Sequence, residues 1–203
     1  MNIDLTVAKK VLSTIDAGLV RGVGNPIPGQ MCVEAAVCYA LDLPHGDDPG
    51  CVSAGLRNLK ITLNDSRWSS NLARTKGLRR LGLAQLGSKG ALDEKEFGER
   101  CAILSANISV PDALRSAASI KGNSAHKEKL LACIPALEAA STIADVKIAA
   151  ADAAKAAAYA ADAADAAYAD ETLSRFAEGV VQILITMNAP GVQWLHLTEE
   201  EKT

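Results

Sequence analysis

Two stretches carry residue types at spacings that can do chemistry. The first is Arg67-Trp68-Ser69-Ser70-Asn71, with Arg74 one turn further on. Ser69 or Ser70 is a good N-cap for a helix that runs to about Leu86, where Gly87 stops it. A helix start offers unpaired backbone N–H groups and the positive end of the dipole. With two serine hydroxyls and the arginines beside it, the group such a place suits is a phosphate. Trp68 would add a face for stacking on a base. The same residues also have a purely architectural use, with Trp68 as a core anchor, the serines as caps and the arginines as solvated surface.

The second stretch is a loop, a helix and a loop between Asn25 and Cys51. GVGNPIPG, from Gly22 to Gly29, cannot be helical, because each proline disfavours α geometry in the residue before it. A helix follows from about Gln30 to Leu41, and PHGDDPG, from Pro44 to Gly50, is a turn-rich acidic loop. The two loops, with Asn25, Gln30, His45 and Asp47, would line a pocket beside Glu34. Cys32 falls in the first turn of the helix, where the dipole lowers a thiol pKa. A nucleophile there would need His45, His126 or His196 as its base, yet the papain-like arrangement sets its histidine on a sheet that this chain lacks. Cys32-Val33-Glu34 matches half of the zinc deaminase signature, but Pro49-Gly50-Cys51 supplies one thiol where two are required. As a structural zinc site, Cys32, Cys38, His45 and Cys51 have a spacing that matches no common knuckle. Gly22 and Gly24 make neither a dinucleotide fingerprint nor a P-loop, since no strand precedes them. We therefore expect no catalytic set, no metal and no cofactor, and place ligand binding on Asn25, Gln30, Glu34, His45, Asp47, Arg67, Trp68, Ser69, Ser70, Asn71 and Arg74.

The elements that must position these residues are helical. Leu5, Ala8, Leu12 and Ile15 share one face of a helix from about Asp4 to Gly18. Cys51 to Leu63 reads as a helix whose end, Ile61-Thr62-Leu63, could instead extend briefly, before Asn64-Asp65-Ser66 breaks it. Further helices start at Asp93 and at Ser109-Val110-Pro111-Asp112, the latter ending by Gly122. Helical character is nearly continuous from Ser124, with a kink or break at Pro135. Ala149 to Ala169 is mostly alanine, the strongest helix former, with a narrow polar stripe of Asp152, Lys155, Tyr159 and Asp162. A last helix runs from about Glu171 to Met187, and Val192, Trp194, Leu195 and Leu197 tuck the tail against the core. The fold class expected is all-α, one domain of about seven to nine helices over residues 1–203, with a subdivision into 1–122 and 123–203 as the variant.

Composition agrees with that class. Of the 203 residues, 49% are apolar but only 3% aromatic, which favours close packing of small side chains. Neither a secretory leader nor an apolar run of membrane-spanning length is present in this sequence, and five cysteines without paired spacing read as reduced thiols. A cytosolic setting is expected, with no membrane partner. Charge is uneven: between Arg57 and Arg80 seven cations face Asp65 alone, while eleven acids against four cations lie between Glu138 and Thr203. That asymmetry means either an anion-binding surface or pairing between the halves. Nucleic acid is disfavoured as a partner by the acidic whole and the scarcity of aromatics.

GNPIPGQMCVEAAVCYALDLPHGDDPGCV from Gly24, LNDSRWSSNLARTKGLRRLGLAQLGS from Leu63 and VQILITMNAPGVQWLHL from Val181 resemble an uncharacterised family of small helical proteins from bacteriophage and bacterial genomes. AADAAKAAAYAADAADAAYAD resembles the alanine-rich helices of immunity-type proteins, a match that composition alone can produce. Together they cover about half of the chain. The resemblance implies a phage or prophage setting, hence the host cytoplasm, and a helical fold, with no reaction attached. Joined to the basic helix start and the glycine loop, it points to a non-enzymatic protein that binds and sequesters a small anionic, nucleotide-derived host immune signal. The alternatives are an immunity-type inhibitor acting through protein contact and a cysteine-dependent enzyme using Cys32. A homo-oligomer is compatible with each.

Overall fold

The computed structural model describes residues 3–119, 126–158 and 170–199, with 155–158 as backbone. Of the described residues 69% are helical, and none lies in a strand beyond two isolated bridges, Leu19 with Met31 and Gly24 with Met31. The α-helices are α1 (Leu5–Asp16), α2 (Val33–Ala40), α3 (Ala54–Asp65), α4 (Asn71–Ala84), α5 (Glu94–Asn107), α6 (Ser109–Ser119), α7 (Lys127–Ala132), α8 (Ile134–Glu138), α9 (Ile143–Ala158) and α10 (Asp170–Thr186), followed by a 3-10 segment (Pro190–Thr198). Cys133 both ends α7 and begins α8, so the two are one helix bent where Pro135 cannot donate its missing N–H. Counted so, the described residues hold nine α-helices, and the all-α class stands. No helix among them is long and apolar enough to cross a membrane.

The chain forms two compact units, one of residues 1–97 and 177–203, the other of residues 98–176. The boundary is therefore discontinuous, and the subdivision near residue 122 falls inside the second unit.

In the first unit, Asp4 caps α1 by accepting from Val7 N at 2.9 Å, and Ala8, Val11, Leu12 and Ile15 form its buried stripe. α2 is buried on nearly every side, as an apolar sequence such as VEAAVCYA requires. α1 packs on α2 and α4, and the 3-10 segment on α4. Close approach is bought with glycine: a methyl at Gly82 would stand 2.4 Å from Ile15 Cδ1, and one at Gly191 would stand 2.5 Å from the Leu83 carbonyl oxygen. α3 remains helical through Ile61, Thr62 and Leu63, so the strand alternative there falls away. The tail expected to tuck in does so, with Leu195 and Leu197 buried, but as a 3-10 turn series.

In the second unit Ala106, Leu114, Ala118, Leu130, Ile134, Leu137, Ala149 and Ala153 make the core. Thr142 and Asp145 start α9 with a reciprocal capping box, Asp145 Oδ2 accepting from Thr142 N at 2.9 Å and Thr142 Oγ1 accepting from Asp145 N at 3.2 Å. Asn107 Nδ2 donates to the carbonyls of Leu137, Glu138 and Ala140 at 2.9–3.1 Å, closing the end of α8. Of the polar stripe, Asp152 is exposed on α9, whereas the Lys155 side chain, Tyr159, Asp162 and the rest of the alanine run to Ala169 lie outside the described residues.

Candidate functional site

The glycine-rich loop is rigid because its backbone bonds to itself. Val20 N donates to Met31 O, Asn25 N to Gln30 O and Cys32 N to Val23 O, at 2.7–3.2 Å. Gly24 makes the fold-back possible: its φ is +73°, and a Cβ there would sit 2.0 Å from the Gln30 carbonyl oxygen. The expected site residues Asn25 and Gln30 brace the loop, Asn25 Nδ2 donating to Gln30 Oε1 at 3.2 Å. His45 reaches across from the acidic loop, its Nε2 lying 3.0 Å from the Gly24 carbonyl oxygen.

Behind this loop is a pocket of about 70 Å³ lined by Gly22, Val23, Cys32, Val33, Glu34, Asp47, Ile61, Asn64 and Asp65. Of the residues in this region singled out for ligand binding, Glu34 and Asp47 line the pocket, whereas Asn25, Gln30 and His45 do not. Glu34 has no exposed surface. Its partner is Lys60, equally buried on α3, with Nζ 3.0 Å from Oε1. Neither carboxylate oxygen has a hydrogen-bond partner beyond that ion pair. Burial pushes the Glu34 carboxyl up and the Lys60 ammonium down, and each draws the other part of the way back. Glu34 also stands in the first turn of α2, where the dipole favours a carboxylate.

One asparagine joins this pocket to the Arg67–Arg74 stretch. Asn64 Oδ1 accepts from Val33 N at 3.4 Å, its Nδ2 donates to Val20 O and to Asp65 Oδ1 at 2.9 Å, and its carbonyl accepts from Arg74 Nε at 2.8 Å. Asp65 Oδ1 in turn accepts from Gly22 N at 2.8 Å. Arg74 is buried and also bonds Asn71 Oδ1. Trp68 is buried too, donating Nε1 to Leu63 O at 2.8 Å, and Ser70 caps α4 by accepting from Ala73 N at 3.1 Å. Arg67, Trp68, Ser69, Ser70, Asn71 and Arg74 are absent from the lining of this pocket. Of these, Trp68 and Arg74 donate to the end of α3, the helix that supplies Ile61, Asn64 and Asp65 to the wall.

The rest of the basic stretch is largely paired. Arg57 meets Asp48 at 3.0 Å, Arg79 takes both oxygens of Asp16 at 2.6 and 2.9 Å, and Arg80 reaches Glu178 at 3.1 Å and Glu199 at 3.5 Å. An open groove of about 360 Å³ lies beside α4, lined by Asp16, Leu72, Thr75, Lys76, Arg79, Thr198 and Glu199.

Sequence reasoning missed Lys60, Asn64 and Asp65, reading the first as one more surface cation and the others as a helix break. A signal was there. Leu56, Lys60, Leu63 and Asn64 stand at i, i+4, i+7 and i+8, the buried stripe of α3, so two polar residues were marked for the interior by position.

Cys32 is the N-cap of α2, its Sγ accepting from Ala35 N at 3.3 Å, yet burial outweighs that bond and pushes its pKa up. The dipole-lowered thiol expected from sequence is corrected accordingly: a position at the helix start, 4% exposed, loses more to desolvation than the amides return. Burial likewise raises Cys38 and Cys101 to about 12. All five cysteines are free thiols, and no three His, Cys, Asp or Glu side chains converge to hold a metal among the described residues. Compared with known protein families, curated proteins and solved structures, the chain matches none.

Proposed function

We propose that this chain is a non-catalytic binding protein that holds a small molecule reversibly in the pocket between the glycine loop, the start of α2 and α3. The observation that carries this reading is Glu34: a wholly buried carboxylate at a pocket wall with one oxygen unpartnered. An acceptor left dry in this way costs about 1–3 kcal/mol, a cost that a bound donor would remove. The ordered loop supports the same reading, since a preformed wall spares the ligand the cost of ordering it.

The test is to purify the protein from expressing cells, denature it and identify the small molecules released by mass spectrometry. The wild-type chain should release one species in stoichiometric amount and unmodified, and Gly24→Val, which wedges the loop open at the Gln30 carbonyl, should release far less. Equal release from both, or recovery of a cleaved product, would overturn the proposal.

The groove beside α4 favours a second reading, the sequestration of an anionic nucleotide-derived immune signal in a phage setting. Its volume of about 360 Å³ is that of a small-ligand site, and it lies along the basic segment with exposed Lys76 at its edge. The cationic residues on its wall are Lys76 and Arg79, one turn beyond the stretch that the sequence singles out. Calorimetry with a panel of cyclic and linear nucleotides should show heat that Lys76→Ala diminishes. No heat with any of them removes this reading and leaves the first untouched.

A further inference from the structure

We draw no further inference here: the strongest candidate, the exposed apolar tip of the glycine loop at Val23 and Ile27, carries nothing because nothing in the structure shows what covers it.

Discussion

Lys60 Nζ and Glu34 Oε1 lie 3.0 Å apart with neither side chain exposed, so α3 and α2 are tied by a charge pair in the dry interior of the first unit. Removing one partner strands the other. Lys60→Met should therefore cost about 3–5 kcal/mol in a urea melt, the usual figure for an orphaned buried charge. The double variant Glu34→Leu/Lys60→Met should recover most of that loss, because two apolar side chains of similar volume need no solvation. Strictly additive losses in the four-member cycle would mean that the pair is not coupled in the folded state.

Trp68 and Arg74 answer to the fold more than to a ligand. Each is buried and each donates to the end of α3, at Leu63 O and Asn64 O. Trp68→Phe keeps most of the packing and should cost about 1 kcal/mol for the lost indole hydrogen bond, whereas Trp68→Ala should cost about 3–5 kcal/mol. Arg74→Ala should cost about 1.5–3 kcal/mol, the range for a charge-assisted bond. Thermal melts check these values, and variants as stable as the parent would return both residues to the list of surface ligand-binding groups.

The thiols predict an alkaline limit. Burial raises Cys38 and Cys101 from an ordinary value of 9.0 to about 12 and raises Cys32 and Cys51 as well. An acid with its pKa raised by folding binds more protons in the folded than in the unfolded chain, so stability is full below pH 9 and falls as pH rises toward 12. Lys60 works in the opposite direction, its lowered pKa adding stability with rising pH up to its ordinary value of 10.5. Four thiols against one ammonium leave a net loss. Urea midpoints measured from pH 8 to 11 should decline beyond pH 9, and at pH 8 iodoacetamide should label Cys32, Cys38 and Cys51 only as fast as the chain opens. Rapid labelling of Cys32 in the folded protein would bring back the nucleophile.

The helices were legible in the sequence because each carries a local signal: the apolar stripe of α1, the serine before α4, the acid and proline that open α6, the proline bend between α7 and α8. So was the pairing of the two loops around α2, since Gly24 and Pro44 leave the chain few other courses. What could not be read was the direction in which polar side chains turn. Arg74 and Lys60 sit in a run of seven cations that looks solvent-facing in one dimension, and only the packing of α3 against α2 and the bond from Arg74 to the Asn64 carbonyl send them inward. The two-unit division does leave a mark, since 26 of the 79 residues from 98 to 176 are alanine against 11 of the other 124, but no local signal shows that residues 1–97 rejoin 177–203 across that helical unit.

Asn64 provides the sharpest test of how the pocket wall is built. Its amide donates to Val20 O and its oxygen accepts from Val33 N, so one side chain ties the glycine loop to the first turn of α2. Asn64→Ala should cost about 1–3 kcal/mol, since it leaves both backbone groups dry, and amide exchange at Val20, Cys32 and Val33 should accelerate together. Asn64→Asp keeps the acceptor and removes the donor, while placing a second carboxylate against Asp65 Oδ1 and facing the Val20 carbonyl. Its folded pKa is then raised by like charge and burial, so the variant should be most stable at acidic pH, where the protonated carboxyl donates an O–H in place of the lost amide, and should lose stability as pH rises through that value. A urea series from pH 4 to 8 separates the outcomes: for Asn64→Asp the deficit relative to wild type should grow with pH, and for Asn64→Ala it should stay constant. A deficit in Asn64→Asp that does not change with pH would mean that this side chain does not face the Val20 carbonyl and Asp65, and that the loop is held by its own backbone bonds alone.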